Sequence, residues 1–169
     1  LLTGSSQMIG VYIPILKGTF YTPILQVIDT ELRANGQHMM VAFGSGVGDA
    51  RRQAMEGIEF LLERGCDGLM VMSNALLEQD IASLGPKQAK LVILNHYYRS
   101  IREQCFSADH KQGGRQAARS LLDLKHRRFA IISGPWNYPD NIARIDGFLG
   151  ERERAGIARD KVPMVESDF

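Results

Sequence analysis

Apolar runs at short intervals, separated early in the chain by segments of helical period, restrict its possible folds more than any other feature. The runs are 8–13, 38–43, 68–72, 90–94 and 129–132. They are near-continuous instead of alternating, so both faces of each strand need cover, as in a parallel sheet between helical layers. A first helix is expected over 22–35. Thr22 caps it, Pro23 takes the first helical position, Ile24, Ile28 and Leu32 form one stripe, and Gly36 ends it. A second, over 49–64, opens at Asp49, turns Ala54, Ile58, Leu61 and Leu62 inward and stops at Gly65. A short helix is expected over 78–84, and a longer one over 111–124 with Ala117, Ala118, Leu121 and Leu122 on its apolar side. This repetition implies right-handed crossovers and an α/β fold with a doubly wound, Rossmann-like parallel sheet. Ligands of such sheets gather beyond the carboxyl ends of the strands, here at 14–21, 44–48, 73–77, 95–99 and 134–141.

The strand spacing breaks at the basic patch Lys125-His-Arg-Arg128, and another strand-like start at 162–165 lies close to the last residue. Two domains are therefore expected, 1–125 and 126–169, the second an α/β unit that is begun and not completed.

The 20 Lys and Arg balance 19 Asp and Glu, for a net charge of +1. A module that holds DNA by itself normally carries a basic excess to neutralise phosphates, so any DNA contact is expected from a segment outside this chain. No apolar run approaches the roughly 18 residues of a membrane helix, and the start lacks the pattern of a secretory signal. Cys66 and Cys105 are far apart and without CxxC spacing, which fits reduced thiols in the cytoplasm.

Catalytic patterns are thin. Gly44-Ser-Gly-Val-Gly48-Asp49 invites a dinucleotide reading, but Asp49 stands where a small residue is wanted, and its charge would repel phosphate. A turn into a helix capped by Asp49 is the better reading. His38, His96, His110 and His126 show no metal-ligand spacing. No Gly-x-Ser-x-Gly elbow occurs, and Cys66 at the head of an apolar strand reads as a buried thiol. No catalytic residue, metal or cofactor is expected.

Several residues suit a binding site instead. Phe20 and Tyr21, after the first strand, offer ring faces to a sugar or purine, unless one of them plugs the core. Trp136, the only tryptophan, follows Gly134-Pro135 on a loop beyond a strand end. Asp140 and Asn141 are candidates for the cap of the next helix. Arg144, followed by Gly147 and Phe148, would enter that helix one turn in, where a guanidinium fork can grip paired hydroxyls or a carboxylate.

The run Phe129-Ala-Ile-Ile-Ser-Gly-Pro135, followed by the Arg144-Ile-Asp-Gly-Phe148 helix, resembles the effector-binding core of the lactose/galactose repressor (LacI/GalR) family. The similarity runs nearly the whole length. Thr3-Gly-Ser-Ser-Gln7 is similar to that family's link into its first core strand, and Phe20-Tyr21 matches its aromatic loop. Arg52-Gln53 with Leu61-Leu-Glu-Arg-Gly-Cys-Asp-Gly-Leu69 is similar to its second helix and third strand. The segment from Asp109 to Ala118 resembles its Asp-Asn-x-x-Gly helix start, with His110 at the Asn, and Lys125 stands where that family has glycine. The resemblance implies two tandem subdomains of the type I periplasmic binding protein kind, binding a small polar effector, most commonly a sugar, in a cytoplasmic homodimer. A separate helix-turn-helix headpiece would hold operator DNA. It also carries over ligand roles to Phe20, Tyr21, Ser73, Asp109 and Arg144, with Trp136 and Asp140 in the matching loop. The dimer surface is expected on the first two helices. The competing function is a sugar-binding protein of a transport system, with an enzyme reading through 44–48 behind it.

Overall fold

The computed structural model describes residues 4–159 and 162–167. Thr3 of the lead-in, and Asp168 and Phe169, lie outside the described residues. By packing, the chain divides into two units, Leu1–Ser107 and Ala108–Phe169.

In the first unit β1 (Met8–Ile13), β2 (His38–Phe43), β3 (Gly68–Val71), β4 (Leu91–Leu94) and β5 (Cys105–Phe106) form one parallel sheet of order β2-β1-β3-β4-β5. The pleat of β1 sorts the core. Val11 and Ile13 join Met72 beneath Tyr21, Ile24, Leu25 and Ile28 of α1 (Gly18–Ala34). Tyr12 points to the other face, among Ala54, Ile58 and Leu61 of α2 (Ala50–Glu63) and Ile81 of α3 (Glu78–Ser83). Full burial of side chains of this size contributes about 1.5–3 kcal/mol each. The doubly wound parallel sheet is thus as expected, with helices on both faces.

Asp49 does cap α2, accepting from the Arg52 amide at 3.0 Å. Arg51 then ties α2 to α3, with Nε and Nη2 donating to the two oxygens of Asp80 at 2.8 and 2.7 Å. Asp80 also accepts from the Leu77 amide at the start of α3, and the Arg51 bonds hold its carboxyl below the usual carboxylate range.

One local expectation fails in this unit, and one strand was not expected. The first helix starts at Gly18, so Thr22 is no cap and Pro23 lies inside the helix. Proline there costs one backbone hydrogen bond, but the earlier start sets Tyr21 on the core. The two-residue β5 escaped notice because a strand so short carries no period; the pairings Ile93 with Cys105 and Leu94 with Phe106 define it.

The second unit holds α4 (His110–Asp123), β6 (Ile131–Ser133), α5 (Pro139–Arg154) and β7 (Met164–Glu166), with β6 and β7 parallel. Its boundary comes before α4, not at 125/126, because α4 packs on α5, backbone against backbone at two glycines. A Cβ on Gly114 would overlap the carbonyl oxygen of Arg144, and one on Gly147 would overlap that of Lys111. The basic patch that marked the expected boundary is the turn after α4. There Lys125 takes φ +66 as its amide and that of His126 close on Leu122 and Leu121. This is a left-handed position that glycine fills without strain. The strand expected from Phe129 begins only at Ile131, since Phe129 turns its ring beneath the Arg152 guanidinium.

Replacing Gly114 by Ala in the intact protein is expected to lower unfolding stability by about 1–3 kcal/mol, through overpacking of backbone on backbone. Gly150, also in α5, has nothing within reach of a Cβ, so Gly150→Ala is expected to be neutral or stabilising by up to about 1 kcal/mol. Denaturant melts of the two variants check the pair.

Candidate functional site

In the first unit the strand order reverses between β1 and β3, since β1 pairs with β2 on one side and β3 on the other. Beyond the carboxyl ends of those two strands lies the crevice where doubly wound sheets take ligands. Three expected site residues stand there. Phe20 and Tyr21 fall in the first turn of α1, not on a loop before it, with ring centroids 5.0 Å apart and planes nearly perpendicular. Tyr21 is half-buried against the cluster of Val11, Ile13 and Met72, whereas Phe20 is 60% exposed. Of the two rings, Tyr21 is the core plug and Phe20 the free face. Ser73, just past β3, is buried, and its hydroxyl accepts from the Ala75 amide at 3.2 Å, which shapes the turn.

The 44–48 loop is tied to its own helix. Gln53 Oε1 accepts from the Ser45 amide at 2.7 Å, and Gln53 Nε2 donates to the Val47 carbonyl at 2.6 Å. With the Asp49 carboxylate on the Arg52 amide, a phosphate at the start of α2 would meet a negative charge.

In the second unit the site is built at the corner where β6 turns into α5. Asn141, buried in the first turn of α5, is the clasp. Its Nδ2 donates to Ser133 Oγ at 2.8 Å and to the carbonyls of Gly134 and Pro135 at 3.1 Å. One amide therefore holds the strand end and the loop to the helix. By sequence Asp140 and Asn141 are candidates for the helix cap. The helix instead starts at Pro139 with Tyr138 before it, because proline's fixed φ suits the first helical position, and neither residue caps. A buried polar residue three places after such a loop is the signal that could have marked Asn141.

Asp140 and Arg144 lie one turn apart on α5, so Arg144 falls in the second turn, and Arg144 Nη2 donates to Asp140 Oδ2 at 2.7 Å. Asp140 is nearly buried, at 12% side-chain exposure, while Arg144 stays half-exposed at 52%. The other carboxylate oxygen, Oδ1, is buried with no hydrogen-bond partner among the described residues. Such an atom costs about 1–3 kcal/mol unless a donor reaches it. Arg144 also lines a recess of about 690 Å³ whose walls include Gly114, Ile131, Pro135, Tyr138 and Phe148. An apolar recess with a few polar groups at its edge is the usual make-up of a small-molecule pocket. Trp136 lies on the same corner loop and is 41% exposed. Asp109 is also in this unit but is occupied, its carboxylate capping α4 by accepting from the Gln112 amide at 2.8 Å.

Among the described residues no cluster of His, Cys, Asp and Glu could hold a metal ion, and no helix is long and apolar enough to cross a membrane.

Residues 6–169 match the family described as periplasmic binding proteins and sugar binding domain of LacI family. The HTH-type transcriptional regulator GalS of Salmonella typhimurium is 24% identical over 158 residues, which cover 94% of this chain and 46% of that protein. A crystal structure of a LacI-family transcriptional regulator from Burkhoderia phymatum is similar at TM-score 0.89 and 43% identity, over 96% of this chain and 59% of that one. Another, from Enterococcus faecium and with bound ribose, gives TM-score 0.78 at 24% identity, over 96% and 58%. The chain spans about half the length of the curated relatives it matches.

Proposed function

We propose, for a chain that belongs to the family of periplasmic binding proteins and LacI sugar-binding domains, that it is the effector-sensing core of a transcriptional regulator, acting most simply as a repressor. The two packing units are read as its two subdomains. The carrying observation is Arg144 in the wall of the β6–α5 recess, paired with Asp140 beside it. Arg144 Nη2 is held by Asp140, which aims the guanidinium and leaves Nε and Nη1 without a partner among the described residues. Asp140 Oδ1, buried without a partner among the described residues, is an acceptor, whereas those nitrogens are donors. A polyol that both gives and takes hydrogen bonds satisfies the two together, so the effector is read as a sugar. Trp136, on the same corner loop, is its candidate ring-stacking face, and Phe20 is kept as a separate candidate at the strand ends of the first unit. Within their own units Ser73 is read as a turn residue, Tyr21 as the support of Phe20 and Asp109 as a helix cap.

The regulator reading is preferred to transport because the similar proteins above are named as transcriptional regulators. Operator DNA would be held by a headpiece outside this chain, in agreement with the net charge of +1. The working protein is read as a cytoplasmic homodimer without catalytic turnover, with α1 and α2 in the interface. Val27 on α1 and Phe60 on α2 are exposed and apolar, which suits a covered surface. Sedimentation of the intact protein at micromolar concentration is expected to show a dimer, and a monomer there refutes this assignment.

Arg144→Ala is expected to weaken sugar binding to the intact protein at least tenfold, about 1.4 kcal/mol, since a charge-assisted hydrogen bond contributes roughly 1.5–3 kcal/mol. Calorimetry on folded wild type and variant decides it, and equal affinities remove Arg144 from the site.

A further inference from the structure

Arg152 stands two turns beyond Arg144 on α5, about 12 Å along the helix axis, and is 1% exposed. A buried guanidinium ordinarily has a carboxylate or several carbonyls around it. This one has neither among the described residues, and its Nε and Nη1 are buried without any hydrogen-bond partner. Its carbon lies 4.3 Å from the ring centroid of Phe129 and 6.0 Å from that of Phe148. Ring faces recover only part of the cost of desolvating a cation, and burial accordingly pushes the pKa of Arg152 down.

The same side chain forms part of the wall of a recess of about 670 Å³ in the second unit, with Arg127, Arg128, Phe129, Ile157 and Pro163. Three arginines thus border one space, and none of the described residues in its lining is acidic. Arg127 is held at the edge, Nη1 donating to the His126 carbonyl at 3.1 Å, and Arg128 is exposed. This recess is distinct from the effector recess, sharing none of its lining residues.

We propose that this recess binds a phosphoryl group, as inorganic phosphate or on a small phosphorylated metabolite, with the Arg152 guanidinium as its seat and Arg127 and Arg128 at its mouth. Three forked cations suit a tetrahedral oxyanion with two negative charges better than a single carboxylate, which one guanidinium would satisfy.

The probe is inorganic phosphate, titrated calorimetrically into the intact protein at fixed ionic strength. Saturable binding is expected. Arg152→Met, which keeps the apolar stem, is expected to weaken it at least tenfold, and the Arg127→Ala/Arg128→Ala double variant at least threefold. Arg119→Ala should leave it unchanged, because Arg119 is exposed and paired with Glu151 at 2.7 Å, outside the recess. Absence of saturable phosphate binding to the wild type overturns the proposal, as does equal affinity in Arg152→Met. Should Arg152→Met fail to fold, the double variant of exposed arginines decides, and unchanged phosphate affinity there overturns it. Neither result bears on Arg144 or on sugar binding.

Discussion

β1 has no solvent face at its carboxyl half, and the first unit is arranged around that fact. Val11, Tyr12 and Ile13 are all essentially inaccessible, two pointing towards α1 and one towards α2 and α3. A strand buried on both sides needs helices on both sides, and helices returning the chain over a sheet make the strands parallel. Parallel strands present all their carboxyl ends at one edge. The order β2-β1-β3-β4-β5 then places the reversal next to β1, so the crevice falls where α1 begins and where Ser73 leaves β3. Phe20 is exposed at that edge because Tyr21, its neighbour, is the residue the core takes in.

The second unit rests on a different contact. Gly114 and Gly147 let α4 and α5 meet backbone to backbone, and Asn141 sews the start of α5 to the end of β6. Arg144 lies between those two anchors. Its position is thus fixed by the glycine contacts on one side and the Asn141 clasp on the other. Its charge is directed by Asp140, whose second oxygen is left in want of a donor.

Much of this was legible in the sequence because the relevant signals are periodic. The four long apolar runs of the first unit, the Asp49 cap and the glycine stops at Gly36 and Gly65 all express local backbone or burial preferences. What escaped depends on contacts distant in sequence. α1 starts early because Tyr21 packs on Met72, and no local rule weighs that against Pro23. β5 exists through its pairing with β4. The unit boundary precedes α4 because two glycines 33 residues apart face the opposing helix, which spacing alone does not announce. At the site, Arg144 and Asp140 were legible as residue types in the right loop and helix. Their ion pair, the clasp of Asn141 and the capping role of Asp109 required geometry.

The central claim is that the β6–α5 corner receives a polyol. The most direct measurement is the melting temperature of the intact protein against a panel of pentoses, hexoses and purines at millimolar concentration, since a ligand that binds only the native state raises it. The account predicts that at least one sugar raises the melting temperature, with the rise lost in Asp140→Ala, which removes the acceptor and releases Arg144. A rise caused by purines alone, or a sugar-induced rise that persists undiminished in folded Asp140→Ala, would contradict it.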